Sequence, residues 1–321
     1  MNHALALRLL HQMQRIRAVE EEIARRYTEW KIRCPTHLSI GQEAVPAALG
    51  EILEKADLAV STHRGHAHYL AKGGNLPAMI AELYGKATGC ARGKGGSMHL
   101  IDRGVGFMGT SAIVGNSIPI GVGLALALQI RKSRQLACIF LGDGAIEEGA
   151  FYESANFAAV RKLPVLFVCE NNLYSVYAPL HQRQPEKRSI AAMVGGLGVP
   201  SASGDGNDAL ACHRLLTTAV EHIRAGHGPY FVELATYRWR EHCGHAYDND
   251  LGYRTVAEFE SWQARDPIRQ LQREVLTSRP QAAEDLSRMD LGIAREVAAA
   301  FDFAEQSPFP DAAEAYAGVY A

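Results

Sequence analysis

Residues 136–177 read LACIFLGDGAIEEGAFYESANFAAVRKLPVLFVCENNLYSVY, and the order of patterns within them decides the fold. An apolar run, 136–141, meets Gly142-Asp143-Gly144. Six apolar or β-branched residues closed by glycine read as a buried strand. From Ala145 to about Lys162, apolar residues recur at Phe151, Ala155, Ala158 and Ala159, the spacing of an amphipathic helix. A second apolar run, 165–168, ends in Glu170-Asn171-Asn172. The unit is strand, tight turn, helix, strand: one βαβ crossover.

Geometry turns this unit into a candidate site. A helix of about 17 residues runs back roughly 26 Å at 1.5 Å per residue, and a return strand of about 6 residues covers roughly 20 Å. The return strand therefore ends near Gly142-Asp143-Gly144, at the carboxyl edge where open α/β sheets bind ligands. There Asp143 offers a hard carboxylate oxygen and Asn172 an amide oxygen. A backbone carbonyl just beyond Asn172, assigned to Tyr174, offers a third. Magnesium takes oxygen ligands in an octahedron and leaves positions for phosphate oxygens and water. Gly142 and Gly144 let a ligand approach the backbone closely, and the free amides of the helix start at Ala145 suit an anion. The reading is a diphosphate held through Mg2+.

Gly-Asp-Gly by itself is a common turn, and the chain holds a second copy, Gly204-Asp205-Gly206. Asn172 lies 29 residues after Asp143, whereas Leu234, with no ligating side-chain atom, lies 29 residues after Asp205. Only the first copy has a partner at βαβ spacing. Asp205 is therefore read as a turn or loop residue.

With Asn171-Asn172 at that spacing, Gly142-Asp143-Gly144 matches the thiamine diphosphate motif. The stretch GDGAIEEGAFYESANFAAVRKLPVLFVCENNLY resembles the alpha subunit of the decarboxylating component of 2-oxo acid dehydrogenase complexes, with pyruvate and acetoin dehydrogenases nearest in pattern. The resemblance implies an α/β thiamine diphosphate-binding fold, a parallel sheet flanked by helices. It reads residues 1–321 as one such domain with a helical C-terminal extension from about 255. The implied cofactors are thiamine diphosphate and Mg2+.

Composition agrees with such an enzyme. Net charge is −2, with 33 Lys+Arg against 35 Asp+Glu, which argues against nucleic acid or an anionic membrane as the main partner. The longest apolar stretch, 118–128, is broken by Gly121 and Gly123 and is too short to span a bilayer. Residues 1–14 carry neither a secretory apolar core nor Arg/Ser-rich transit character. The six cysteines are scattered without a Cys-x-x-Cys pair, and Cys138 and Cys169 fall in the buried strands. A reduced, cytoplasmic chain is the reading.

Outside the central unit, residues 5–29 read as a helix in which Glu20, Glu21 and Glu22 form an exposed, ion-paired face. His37-Leu38-Ser39-Ile40-Gly41-Gln42-Glu43-Ala44 also resembles the family and reads as a cap for the next helix, with Ser39 or Gly41 at its start. Ser61-Thr62-His63-Arg64-Gly65-His66-Ala67-His68 is the densest polar stretch. Zinc on His63, His66 and His68 is disfavoured, because no cysteine or carboxylate sits at ligand spacing nearby. Arg64 instead offers a planar fork matched to phosphate. The resemblance places His63 with it on the cofactor's diphosphate, and His66 is taken as a catalytic candidate. The glycine-rich stretch GKATGCARGKGGSMHL, 85–100, fits no Walker pattern and reads as a linker or a phosphate cradle.

By resemblance, Ala112 and Val114 contact the aminopyrimidine ring, and the small-residue helix 119–128 packs at a subunit interface. Residues 174–188 read as a loop, 209–224 as a helix capped by Asn207 or Asp208, and 230–234 as a strand. The segment Tyr237-Arg238-Trp239-Arg240-Glu241-His242-Cys243-Gly244-His245 resembles the family's active-site histidine loop. His242 is favoured over His245 because its distance from the strand end is preserved; it is assigned to catalysis and to the cofactor. Asp248 falls about two residues later than in the family pattern.

The resemblance further implies a separate beta subunit that supplies the ylide-forming glutamate in an α2β2 heterotetramer. A lipoyl acyltransferase would take the acyl group, and the substrate would be a 2-oxo acid or acetoin. The alternative is an acyloin-forming or transketolase-like carboligase that works without lipoamide.

Overall fold

The computed structural model describes residues 2–318. The chain opens with α1 (His3–Tyr27), buried through Leu9, Met13, Ile16, Val19 and Ile23, then α2 (Ala44–Ile52) and strand β1 (Leu58–Thr62). Short helices α3 (His66–Ala71) and α4 (Leu76–Leu83) lead to β2 (Phe107–Ser111), α5 (Ser117–Ile130) and β3 (Ala137–Gly142). Next come α6 (Gly149–Arg161), β4 (Val165–Asn171), a hairpin of β5 (Tyr174–Ser175) and β6 (Ala178–Pro179), and one turn, α7 (Leu180–Arg183). They are followed by α8 (Ile190–Gly196), β7 (Ser201–Asp205), α9 (Ala209–Arg224) and β8 (Tyr230–Ala235). Three further helices are α10 (Val256–Gln263), α11 (Pro267–Ser278) and α12 (Ala282–Gln306).

Six strands form one parallel sheet in the order β2-β1-β3-β4-β8-β7. The side-chain period of two divides its apolar residues between two layers. Cys138, Phe140, Leu166 and Val168 face a core shared with α1, α2, α4, α9, α11 and α12. Ala137, Ile139, Leu141, Val165, Phe167 and Cys169 face a second core under α5, α6 and α8. Strands covered on both faces are apolar at nearly every position, as parallel sheets require. Each fully buried Leu, Ile or Phe there contributes about 1.5–3 kcal/mol. Close helix-on-sheet packing depends on Gly121, where a Cβ would meet Ile139 Cγ1 at 2.3 Å. Gly123, by contrast, has nothing within 4 Å and faces outward. No helix among the described residues is long and apolar enough to cross a membrane.

The structure changes several local readings. The helix expected from Ala145 begins at Gly149, because Asp143–Glu147 forms a separate 3-10 turn and the extended backbone of Glu148 (ψ 138°) keeps the two apart. Glu20 is fully buried rather than on an exposed face: its Oε2 accepts the Ser39 N–H at 2.5 Å. Neither Ser39 nor Gly41 caps α2; Glu43 stands at the N-cap without a side-chain bond. Gly41 is required for another reason: its φ is +98°, and a Cβ would meet Tyr237 O and Trp239 Cδ1 at 2.5 Å. Residues 174–188 contain β5, β6 and α7 instead of a plain loop. Asp208 is the residue that caps α9, accepting from Ala211 N–H at 2.8 Å.

Candidate active site

Every strand of the parallel sheet delivers its carboxyl end to the same edge, and a cavity of about 190 Å³ lies there. Asp143 follows the last residue of β3 and Asn172 the last residue of β4, strands paired through Gly142 and Glu170. Neighbouring strands lie about 4.8 Å apart, so the two side chains enter one space. Asn172 Oδ1 accepts the Tyr174 N–H at 3.2 Å, and Nδ2 donates to Gln42 Oε1 at 3.3 Å. Tyr174 is held by its phenol, which donates to the Glu258 carboxylate at 2.8 Å on α10. Its backbone therefore stays at the cavity wall.

Asp143 is 1% exposed. Burial pushes its carboxyl above the ordinary aspartate value, and the Arg183 guanidinium, paired with its Oδ2, opposes that shift. Arg183 also pairs with Glu147. The carboxylate of the 3-10 turn thus already attracts a cation, supplied by α7. Gly142 leaves open space within 4 Å of where a Cβ would stand, while a Cβ on Gly144 would meet Ser175 Oγ at 2.8 Å. The first glycine opens the cavity and the second permits a tight turn.

Arg64, on the turn after β1, ties three segments together. It donates through Nη1 to Leu38 O at 2.5 Å and through Nη2 to His242 O at 3.2 Å. Burial lowers its pKa to about 10. Around it stand His37, His63 and His242, with ring centroids 4.6, 5.0 and 5.3 Å apart. Desolvation first, and Arg64 second, hold these imidazoles far below the usual histidine range, at about 2, 4 and 3 respectively. All three are neutral at pH 7.

The loop that carries His242 is fixed by buried charge. Asp248, 2% exposed, pairs with Arg254 and lies 3.5 Å from Arg238 Nη1. Arg254 returns two further bonds to Arg238 O and Trp239 O, at 2.8 and 3.0 Å. His245 is directed elsewhere, packed on Tyr27 with centroids 5.3 Å apart.

The cavity is lined by His63, Arg64, Ala112, Val114, Gly142, Asp143, Gly144, Ala145, Asn172, Tyr174 and His242. His66 is the exception among the sequence candidates. It is fully buried, with Nε2 2.7 Å from Ser97 Oγ and Nδ1 3.2 Å from Glu20 Oε1. His66 is not among the residues that line the cavity. His68 lies between Ser61 Oγ and Glu170 Oε2, at 2.7 and 3.0 Å. His63, His66 and His68 therefore diverge.

Asp205 ends β7 and lies outside the cavity. Its Oδ1 accepts the Asn207 N–H at 2.9 Å and its Oδ2 takes Arg265 at 2.6 Å. The glycine-rich stretch proves to be neither linker nor phosphate cradle. The Glu82 carboxylate sits inside it, accepting from Ala91, Gly93, Gly95 and Gly96 N–H at 2.7–3.1 Å. The nest holds an anion, and that anion belongs to the chain.

Sequence reasoning missed His37, Gln42, Glu170 and Arg183, which the fold brings to the cavity or its rim. His37 and Gln42 stood in a stretch noted for its pattern but read as a helix cap. For Arg183 the linear sequence offered no signal.

Fold and cavity place the chain in the thiamine diphosphate-binding class of α/β folds. The chain belongs to the family described as "Dehydrogenase E1 component", whose model matches residues 11–313. It is 36% identical over 305 residues to a pyruvate dehydrogenase E1 component subunit alpha from Rickettsia felis, covering 95% of this chain and 92% of that one. It is 35% identical over 316 residues to the alpha subunit of an acetoin:2,6-dichlorophenolindophenol oxidoreductase from Bacillus subtilis, with 98% and 93% covered. A pyruvate dehydrogenase E1 component subunit alpha from Rhizobium meliloti is 36% identical over 315 residues, with 98% and 89% covered.

Proposed function

We propose that this chain is the alpha subunit of a thiamine diphosphate-dependent dehydrogenase acting on a 2-oxo acid or acetoin, and that it holds the diphosphate end of the cofactor through Mg2+. One observation carries the reading: Asp143 and Asn172, 29 residues apart, meet at adjacent strand ends in the cavity that Arg64 enters. The donor set fits the group. A buried carboxylate, an amide oxygen and the nearby Tyr174 carbonyl are hard oxygen ligands of the kind magnesium selects. The cation already drawn to Asp143, Arg183, reports the same local preference for positive charge.

When bound, thiamine diphosphate supplies the stabilised carbanion that decarboxylation or acyloin cleavage needs. The chain's residues bind and orient. Asp143, Asn172 and the Tyr174 carbonyl would hold the metal, and Gly144 and Ala145 of the 3-10 turn would lie beside the diphosphate. Arg64, already desolvated and anchored to two carbonyls, adds a fixed positive charge. His63 and His242, both neutral, each offer one N–H to a phosphate oxygen or reacting group. Ala112 and Val114 supply an apolar wall for the aminopyrimidine.

The acidic residues lining the cavity are both engaged, Asp143 with Arg183 and Glu170 with His68. Neither is free to act on the pyrimidine ring. That supports a second subunit as the source of the activating carboxylate, in an α2β2 assembly that passes its acyl group to a lipoyl acyltransferase. Asp143→Ala and Asn172→Ala are expected to abolish Mg2+-dependent thiamine diphosphate binding in titration calorimetry. Wild-type affinity in either variant would overturn the assignment.

A further inference from the structure

We propose that Arg183 is a positioning residue for the metal site, a side chain that stands outside the cavity and holds two of the metal's oxygen ligands in place. The proposal deepens the function given above and rests on it, since the ligands concerned are Asp143 and the Tyr174 carbonyl. Arg183 approaches from behind. It stands on α7, beyond the β5–β6 hairpin, and is not among the residues that line the cavity. Its Nη2 pairs with Asp143 Oδ2, and no other side chain among the described residues bonds that carboxylate. Oδ1 is left for the metal.

The same guanidinium grips the segment of the other ligand. Its Nε donates to Ala178 O at 3.0 Å, and Ala178 and Pro179 of β6 pair with Ser175 and Tyr174 of β5. Its Nη1 pairs with Glu147 of the 3-10 turn, and a Cβ on Gly144 would lie 3.7 Å from that nitrogen, so the group runs alongside the turn. One planar cation thus ties the turn that carries Asp143 to the hairpin that carries Tyr174. The side chain is only 10% exposed, and ion pairs so far from solvent are weakly screened. A lysine, a point charge on a flexible stem, has no fork to bond three acceptors at once. Outer partners that orient a metal's ligands are worth about 10–100-fold in affinity. Were Arg183 instead a placeholder for the metal, its removal would tighten metal binding; its position outside the cavity favours the positioning role.

The test uses the full chain, freed of metal with a chelator, in the presence of thiamine diphosphate. Mg2+ is titrated by calorimetry, and Mn2+, which shares its preference for oxygen ligands, by electron paramagnetic resonance. Arg183→Gln is expected to weaken both ions by at least about tenfold. Arg183→Lys, which restores the charge without the fork, should fall between that variant and the wild type. Wild-type or tighter metal binding in Arg183→Gln would overturn the proposal, and so would an affinity in Arg183→Lys no better than in Arg183→Gln. If Arg183→Gln does not fold, judged by circular dichroism, Arg183→Lys decides alone, and wild-type affinity there would overturn the role. Asp143→Ala keeps the two readings apart. Metal binding lost in Asp143→Ala but unchanged in Arg183→Gln removes the positioning role and leaves the metal site standing. Wild-type binding in Asp143→Ala removes the site, and the role with it.

Discussion

At the scale of single residues, the cavity is governed by what burial does to charge. Asp143 keeps its place through Arg183, and Arg64 through carbonyls from two other segments. The histidines solve the same problem by staying neutral. Their folded values lie below the ordinary 6.5, so the unfolded chain binds more protons as pH falls. The stability they contribute is complete above about pH 6.5 and is lost as pH drops toward their folded values. Each fully protonated unfolded histidine steepens the decline by up to about 1.4 kcal/mol per pH unit. Urea denaturation of the metal-free chain should show stability falling between about pH 7 and 5, and His37→Gln should make that decline shallower. A slope unaffected by the substitution would show that His37 is not buried neutral. At this scale Asp143 and Asn172 were legible, because a βαβ unit converts sequence spacing into proximity. The His37–His63–His242 cluster was not, because no local pattern links three loops so far apart.

Among the elements, the glycine-rich segment after α4 shows how one side chain organises a loop. Glu82 satisfies four backbone N–H groups that would otherwise be lost inside the fold. Gly93 is held at φ +76°, where a Cβ would meet the Gly85 backbone at 2.7 Å. Ser97 in turn meets His66, so the segment supports the α3 side of the cavity. A glutamine at position 82 keeps one acceptor oxygen and turns an NH2 group toward N–H donors. At least two donors are then unsatisfied, each costing about 1–3 kcal/mol. Glu82→Gln is expected to destabilise the chain by roughly 2–6 kcal/mol in equilibrium denaturation. A change within half a kilocalorie of zero would contradict the nest. The loop's glycines were plain in the sequence, but the anion they enclose was not. A carboxylate several residues upstream and a bound phosphate present the same demand to the linear pattern.

For the whole molecule, the layout separates binding from completion. After Thr255, α11 and α12 pack against α1 and α4 within one core. The opposite side leaves Ile113, Val114 and Ile120 exposed, the first two on the cavity wall. An apolar rim beside a cavity whose carboxylates are already engaged is the expected meeting place for the second subunit. The purified chain alone should turn over neither pyruvate nor acetoin with an artificial electron acceptor, and activity should appear on adding a beta-type partner. Turnover by the single chain would refute the shared site.

The sequence by itself determined the parallel α/β order, the βαβ crossover and the Asp143–Asn172 pairing. Apolar periodicity and chain length act locally and leave little freedom over such a unit. Tertiary structure alone decided that Glu20 and His66 are buried partners, that Glu82 fills the glycine-rich nest and that Arg183 meets Asp143. It also decided that His37 joins His63 and His242. Those contacts arise only when separate segments are packed against one sheet edge, where desolvation favours partners for charged and polar groups.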